Sequence, residues 1–264
     1  MNISLEYFSA LDPGRARRNN EDAVLVDESL ALCLLADGMG GYNAGEVASD
    51  MAIREARDEF ARWVASGQVS SSEGEVRRAL VASARRANRS VYAAAQRTPE
   101  YAGMGTTLVQ ALFGVDRMWV GHVGDSRAYR FRQNKLEQIT RDHSLLQEQI
   151  DAGLITPEEA KFSAHRNLVT KAVGVEPEID PEVHGHDLRV GDLILMCSDG
   201  LSDMVPDAQI ADILRLHPTL PAMGKALIDA ANAAGGRDNI SVVLAKVQGD
   251  AAAARRLWWP FNKR

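Results

Sequence analysis

Leu32-Cys33-Leu34-Leu35-Ala36-Asp37-Gly38-Met39-Gly40-Gly41 is an apolar run that ends on a carboxylate and passes at once into a glycine-rich turn. The apolar half reads as a buried strand that delivers Asp37 to a sheet edge on a rigid support. The glycines let the backbone turn sharply and leave carbonyls open to a ligand. Asp-Gly alone is a common turn dipeptide, so the weight of the reading comes from recurrence. Leu193-Ile194-Leu195-Met196-Cys197-Ser198-Asp199-Gly200 repeats the design. Asn20-Glu21-Asp22 stands just before Ala23-Val24-Leu25-Val26, and Asp238-Asn239 just before Ile240-Ser241-Val242-Val243-Leu244. Gly124-Asp125-Ser126-Arg127 follows the strand-like Met118-Trp119-Val120. Acidic residues punctuating strand after strand have one economical explanation, a shared cation site.

With 264 residues the chain is long enough for one large domain with a sizeable core or for two small ones. A hydrophobic content of 45% and a charged content of 25% are those of an ordinary soluble protein. The net charge of −6 gives no electrostatic reason to expect a nucleic-acid partner. Cys33 and Cys197 each lie inside an apolar run, as buried core cysteines do, and such usage fits a reducing cytosol. The opening Met1-Asn2-Ile3-Ser4-Leu5-Glu6 lacks the pattern of a signal peptide, and no apolar run approaches a membrane span. A cytoplasmic protein without stable membrane insertion is expected.

Leu5 to Ala10 reads as an opening strand and Asp12-Pro13-Gly14 as a turn. Arg15 to Asp22 runs a basic cluster directly into an acidic one. That is either a solvated loop of self-cancelling charge or one flank of a metal-phosphate site, which needs both signs side by side. Ala44 to Val64 reads as a helix with Asn43 and Glu46 in a capping arrangement, and Ser72 to Glu75 as a capping box before the stripe Val76, Leu80, Ala84, Ala87, Val91, Ala95. From Leu108 to Thr140, strand-like runs joined by short turns predict an antiparallel meander. Arg141 to Gly174 is irregular and reads as a surface flap, with short helices from Ser144 and after Thr156-Pro157. Asp192 to Ser198 is a second buried strand, Asp207 to Leu216 and Pro221 to Ala233 are helices, and Ile240 to Val247 is the last strand. Residues 1–249 therefore form the domain, and 250–264 a basic, aromatic tail around Trp258-Trp259. Such a tail either touches a membrane surface or a partner, or stays loose or folds back on its own domain.

If Glu21, Asp37, Asp199 and Asp238 converge, they cannot all stay ionised without cations, because like charges raise one another's pKa. Oxygen-only ligands select a hard ion, Mg²⁺ or Mn²⁺, and none of the 6 histidines stands in a zinc-binding spacing. Two ions about 3.5–4 Å apart would make hydroxide near neutral pH and polarise a phosphoryl oxygen. Asp37 is the best bridge, and the Gly38 carbonyl can supply a further oxygen. Arg17 can bind phosphate with a two-pronged hydrogen bond. Together these groups make a phosphate-ester hydrolase with in-line attack and no covalent enzyme intermediate. The competing readings are another two-metal hydrolase acting on phosphodiesters, and a phosphoprotein-binding domain without activity.

Arg17-x-x-Asn20-Glu21-Asp22, Asp37-Gly38-Met39-Gly40-Gly41, Gly105-Thr106-Thr107, Gly124-Asp125-Ser126-Arg127, Ser198-Asp199-Gly200-Leu201 and Asp238-Asn239 stand in a familiar order. In that order and over about Leu5 to Val247 the chain resembles the metal-dependent serine/threonine protein phosphatases (type 2C, or PPM). Arg141-Asp142-His143-Ser144, Asn167 to Gly174 and the paired tryptophans resemble the bacterial branch. The resemblance implies an α+β fold, a four-layer αββα sandwich of two antiparallel sheets flanked by helices. It implies a protein phosphatase acting on phosphoserine and phosphothreonine, with a dinuclear Mn²⁺ or Mg²⁺ centre. Its partners would be phosphoproteins made by a serine/threonine kinase, and the chain would be a monomer. Asp37 would bridge the ions, with the Gly38 carbonyl on one and Glu21, Asp199 and Asp238 on the other. Asp22 would orient water, Asp125 with Asp199 would hold a third, weaker ion, and Arg17 would bind phosphate. Many eukaryotic members carry a histidine after Asp-Gly as general acid. Met39 stands there and has no proton to give, while His143 reads as a structural loop histidine.

Overall fold

The computed structural model describes residues 3–41, 44–67, 72–160 and 168–249. Strand β3 (Leu32–Met39) is buried on both faces, and its alternation decides the layering. Leu32, Leu34 and Ala36 pack against the helices α1 (Ala44–Ala65) and α2 (Glu73–Arg97). Cys33 and Leu35 point the other way, into a core shared with a second sheet. That is why the sequence shows an unbroken apolar run where a half-exposed strand would alternate.

One sheet contains β2 (Asp22–Asp27), β3, β5 (Leu108–Phe113), β6 (Arg117–Val123) and β9 (Glu182–Asp187) in that order, with the short β4 (Gly105–Thr106) paired to β3. The other runs β1 (Ile3–Asp12), β11 (Ile240–Gly249), β10 (Leu193–Cys197), β7 (Arg127–Arg132), β8 (Lys135–Gln138). Every strand pairing is antiparallel. Strand β10 repeats the logic of β3. Ile194 and Met196 enter the core between the sheets, while Leu193, Leu195 and Cys197 face α6 (Asp207–Leu216) and α7 (Leu220–Ala233). Helices thus cover both outer faces, giving the four-layer αββα sandwich, and the two cysteines sit in different layers, both free and buried. Each fully buried leucine or valine contributes roughly 1.5–3 kcal/mol of transfer free energy.

The helix boundaries follow their capping chemistry. The Ser72 hydroxyl accepts the Glu75 N–H to open α2, and every residue of the expected stripe from Val76 to Ala95 is buried. Ser144 caps α3 (Leu145–Asp151) by accepting the Gln147 N–H. Thr156 opens α4 (Pro157–Ala160), its hydroxyl accepting from the Glu159 N–H while the Glu159 carboxylate accepts from the Thr156 N–H. Asn43, expected to cap α1, lies outside the described residues, as do 161–167 of the flap and the tail from 250.

Two expectations are corrected. The run from Leu108 to Thr140 is two hairpins, not one meander. β5 pairs with β6 in one sheet, and β7 with β8 in the other. The crossing occurs at Gly124, whose φ of +105° takes a backbone conformation that L side chains rarely adopt. The strand β9 had no expected counterpart, because Glu182-Val183-His184-Gly185-His186-Asp187 carries a single large apolar residue. It is an edge strand held by its ladder to β6.

Candidate metal centre

Asp22 stands directly opposite Asp37 in the β2–β3 ladder. The Asp22 Oδ2 atom accepts hydrogen bonds from the hydroxyls of Ser198, at 2.9 Å, and Ser241. Ser198 follows β10 and Ser241 lies in β11, so this one carboxylate ties the two sheets together at the end of the sandwich where the acids gather. Asp37 is locked through its backbone. Its N–H donates to Thr107 Oγ1 at 2.9 Å, and its carbonyl accepts from the Thr107 N–H and the Thr106 hydroxyl.

The loop carrying Arg17 is held to the same end by Asn239, which is buried. Its Oδ1 accepts the Glu21 N–H at 2.8 Å, and its Nδ2 donates to the carbonyls of Pro13 and Asn19. Arg17 Nη2 lies 2.9 Å from Asp238 Oδ2. Gly38 donates its N–H to the Glu21 carbonyl at 3.1 Å. A Cβ at Gly38 would fall 2.1 Å from the Gly45 carbonyl oxygen, and one at Gly45 would fall 2.7 Å from Glu21 Oε2. Both glycines therefore make room for the Glu21 segment to close on β3.

The electrostatics report how closely the acids gather. Burial pushes the Asp37 carboxyl well above the ordinary range, and Asp22, Asp199, Asp125 and Asp238 push it further. Asp199 is raised by burial and then by Asp125, Asp203, Asp238 and Asp22. Asp22 and Asp125 are each pushed up to about 6, chiefly by burial. Glu21 is raised by burial, with Arg17 opposing. Among the described residues, Asp22 Oδ1 and Asp199 Oδ1 are buried with no hydrogen-bond partner. Unsatisfied carboxylate oxygens inside a group of like charges are the donor chemistry that hard divalent cations select. The donor set fits Mn²⁺ or Mg²⁺: Glu21, Asp37, Asp199 and Asp238 could hold ions with the Gly38 carbonyl beside them.

Three cavities open here. One of about 230 Å³ is lined by Arg17, Asp199, Gly200, Asp203, Met204, Arg237 and Asp238. A second, of about 190 Å³, is lined by Arg17, Arg18, Asn19, Glu21 and Asn239. A third, of about 60 Å³, lies among Asp125, Asp142, Asp199 and Asp203. Sequence reasoning assigned Asp203 no role, although it stands four residues after Asp199 at the end of the short helix α5 (Asp199–Ser202) and lines two of these cavities. That spacing of acids was the available signal. Ser198, Ser241, Thr107 and Asn239 were also given no role of their own, because hydroxyls and amides act here only through partners distant in sequence. Met39 ends β3 without a titratable proton, and the His143 ring nitrogens are engaged by Gly124 and Glu182.

A sandwich of this layering, with a hard-cation cage where its two sheets meet, is the architecture of the metal-dependent protein phosphatases. The family model for protein phosphatase 2C matches residues 15–244, and the chain belongs to that family. It is 39% identical over 247 residues to serine/threonine protein phosphatase PstP of Mycobacterium tuberculosis, spanning 93% of this chain but only 45% of that relative's length. It is 36% identical over 236 residues to serine/threonine phosphatase stp of Listeria monocytogenes, spanning 88% of this chain and 92% of that one. The catalytic domain of PstP, solved in complex with 2 manganese ions, superimposes with a TM-score of 0.81 at 37% identity over 94% of this chain and 100% of that chain.

Proposed function

We propose that this chain hydrolyses phosphoserine and phosphothreonine in phosphoproteins, using two Mn²⁺ or Mg²⁺ ions held by its acidic cluster. The observation that carries the reading is the pair of orphaned carboxylate oxygens, Asp22 Oδ1 and Asp199 Oδ1, buried within a group of acids whose rim carries Arg17. Asp37 would bridge two ions, with the Gly38 carbonyl on one and Glu21, Asp199 and Asp238 on the other. Asp125 with Asp199 would hold a third, weaker ion. When bound, such ions acidify water and polarise a phosphoryl oxygen.

The protein's own residues supply the rest. Arg17 spends one N–H on Asp238, and its other donors can take phosphate oxygens and align the ester for in-line attack. Asp22, fixed by two serine hydroxyls through Oδ2, keeps Oδ1 to orient the attacking water. Met39 has no proton to give the leaving alkoxide, so that proton must come from water in the site or from another group there.

The same reading places the catalytic unit within residues 1–249 and gives the chain phosphoproteins made by a serine/threonine kinase as substrates. It also makes the protein a monomeric, cytoplasmic element of bacterial signalling. Among the described residues no helix is long and apolar enough to cross a membrane, and the free buried cysteines suit a reducing compartment. The test is hydrolysis of a phosphothreonine peptide and of an aryl phosphate with Mn²⁺ present and after chelation. Turnover of both that stops with chelator is expected. Cleavage of a phosphodiester probe without action on the phosphopeptide would overturn the reading.

A further inference from the structure

Outside the acidic cluster, a second group of titratable side chains, two buried histidines and a half-exposed glutamate, lies at the turn from one sheet to the other. Potential ligand atoms of His122, His143 and Glu182 all lie within 4.8 Å of one another. Two histidines and a carboxylate resemble a transition-metal site, but the hydrogen bonds argue otherwise. The Gly124 N–H donates to His143 Nδ1 at 3.1 Å, so that nitrogen carries a lone pair and the proton of the neutral ring sits on Nε2. Nε2 in turn faces Glu182 Oε1 at 3.0 Å. A metal on Nε2 would force a proton onto Nδ1, against the Gly124 N–H. His143 is therefore what disfavours a metal; His122 donates its Nε2–H to the Arg141 carbonyl at 2.7 Å, which leaves Nδ1 with a lone pair.

The two imidazoles stack at 4.7 Å with an interplanar angle of 11°, which fixes the plane of the His143 ring. The main chain of His143 closes the loop, its N–H donating to the Gly124 carbonyl at 3.0 Å and its own carbonyl accepting from Thr170 at 2.8 Å. Gly124 is thus gripped on both its N–H and its carbonyl by one residue, and Asp125 is the next residue along. Burial holds the His143 pKa below its usual value, with Glu182 opposing, in keeping with a neutral ring.

We propose that His143 is a positioning residue: its unprotonated Nδ1 latches the Gly124–Asp125 turn, holding Asp125 toward Asp199 and tying that turn to the segment at Thr170. Its bearing on ion binding rests on the assignment of Asp125 and Asp199 to a third ion. The latch acts through an acceptor at the Nδ1 position. Asparagine places an amide oxygen near that position, glutamine reaches only toward the Nε2 position, and leucine fills space without accepting.

The experiment compares His143→Asn, His143→Gln and His143→Leu with the full chain, by Mn²⁺ titration of the metal-free protein and by exchange of the Gly124 amide proton. His143→Leu and His143→Gln are expected to weaken the weakest Mn²⁺ site about 10–100-fold, as loss of a partner behind a ligand does, and to speed Gly124 exchange. His143→Asn is expected to keep both near wild type. Asp125→Ala tests the underlying reading by itself: it should abolish the weak site. If it does not, the ion assignment fails and amide exchange still decides the latch. Equal behaviour of the Asn and Leu variants would overturn the latch. Should the variants not fold, the ring ¹⁵N shifts of His143 in the wild-type protein decide. A pyridine-like Nδ1 with a protonated Nε2 is expected, and the reverse pattern overturns the proposal.

Discussion

Asp22 and Asp37 occupy directly opposed positions on paired strands, and burial and neighbouring acids raise the pKa of both. Two carboxylates set face to face in a buried site repel unless a proton or a cation intervenes. The pH dependence of the metal-free protein follows. A carboxyl raised from 3.8 to about 6 in the fold favours the native state fully below the lower value, and that contribution is lost as pH climbs to the upper one. For Asp22 the span corresponds to about 3 kcal/mol. With chelator present, Asp22→Asn should therefore match wild type near pH 4 and gain on it up to pH 7 in urea denaturation. A difference that stays flat with pH would contradict the shift.

Removing the charge proposed to be shared by two ions has the opposite consequence for the loaded protein. Asp37→Asn keeps the side-chain volume and leaves the backbone bonds to Thr107 in place. It should fold, lose tight Mn²⁺ binding in calorimetry and fall to background turnover of an aryl phosphate. Wild-type turnover in this variant would mean that Asp37 is not a ligand.

Arg17 is half exposed, and its ion pair with Asp238 lies at the surface. Such pairs add about 0–1 kcal/mol to stability, so Arg17→Ala should melt within a few degrees of wild type. Its kinetic effect should be large. A charged hydrogen bond to phosphate is worth about 1.5–3 kcal/mol, so KM should rise roughly 10–100-fold with a smaller fall in kcat. A large loss of kcat at unchanged KM would instead put Arg17 in the transition state alone.

Most of this arrangement is legible in the chain because the signal is local. An apolar run ending in Asp marks β3 and β10 wherever both faces of a strand are buried, and helix stripes such as Val76 to Ala95 carry their own period. What escapes has no local signature. Strand β9 is polar because it is an edge, and only its ladder to β6 makes it a strand. The passage of the chain between sheets after β6 depends on the conformation of Gly124, and a run of short strands reads the same whether or not it crosses. Asn239 could be seen beside Asp238, but its work is done on Pro13, Asn19 and Glu21, more than two hundred positions away.

The glycines after Asp37 separate a steric requirement from a merely permissive turn. Gly38 is enclosed: a Cβ there would meet the Gly45 carbonyl oxygen at 2.1 Å and the Glu21 carbonyl oxygen at 2.5 Å. Both obstacles are backbone, so neither can swing aside, and relief would come only by moving the Glu21 segment and the start of α1 at Gly45 away from β3. Gly41 has nothing within 4 Å of its added Cβ. Gly38→Ala should therefore lose about 1–3 kcal/mol in urea denaturation and bind Mn²⁺ about 10–100-fold more weakly. Gly41→Ala should stay within about 0.5 kcal/mol of wild type with unchanged Mn²⁺ affinity. If the two variants bound Mn²⁺ alike, the close approach of the Glu21 segment to β3 would not be what shapes the cation cage.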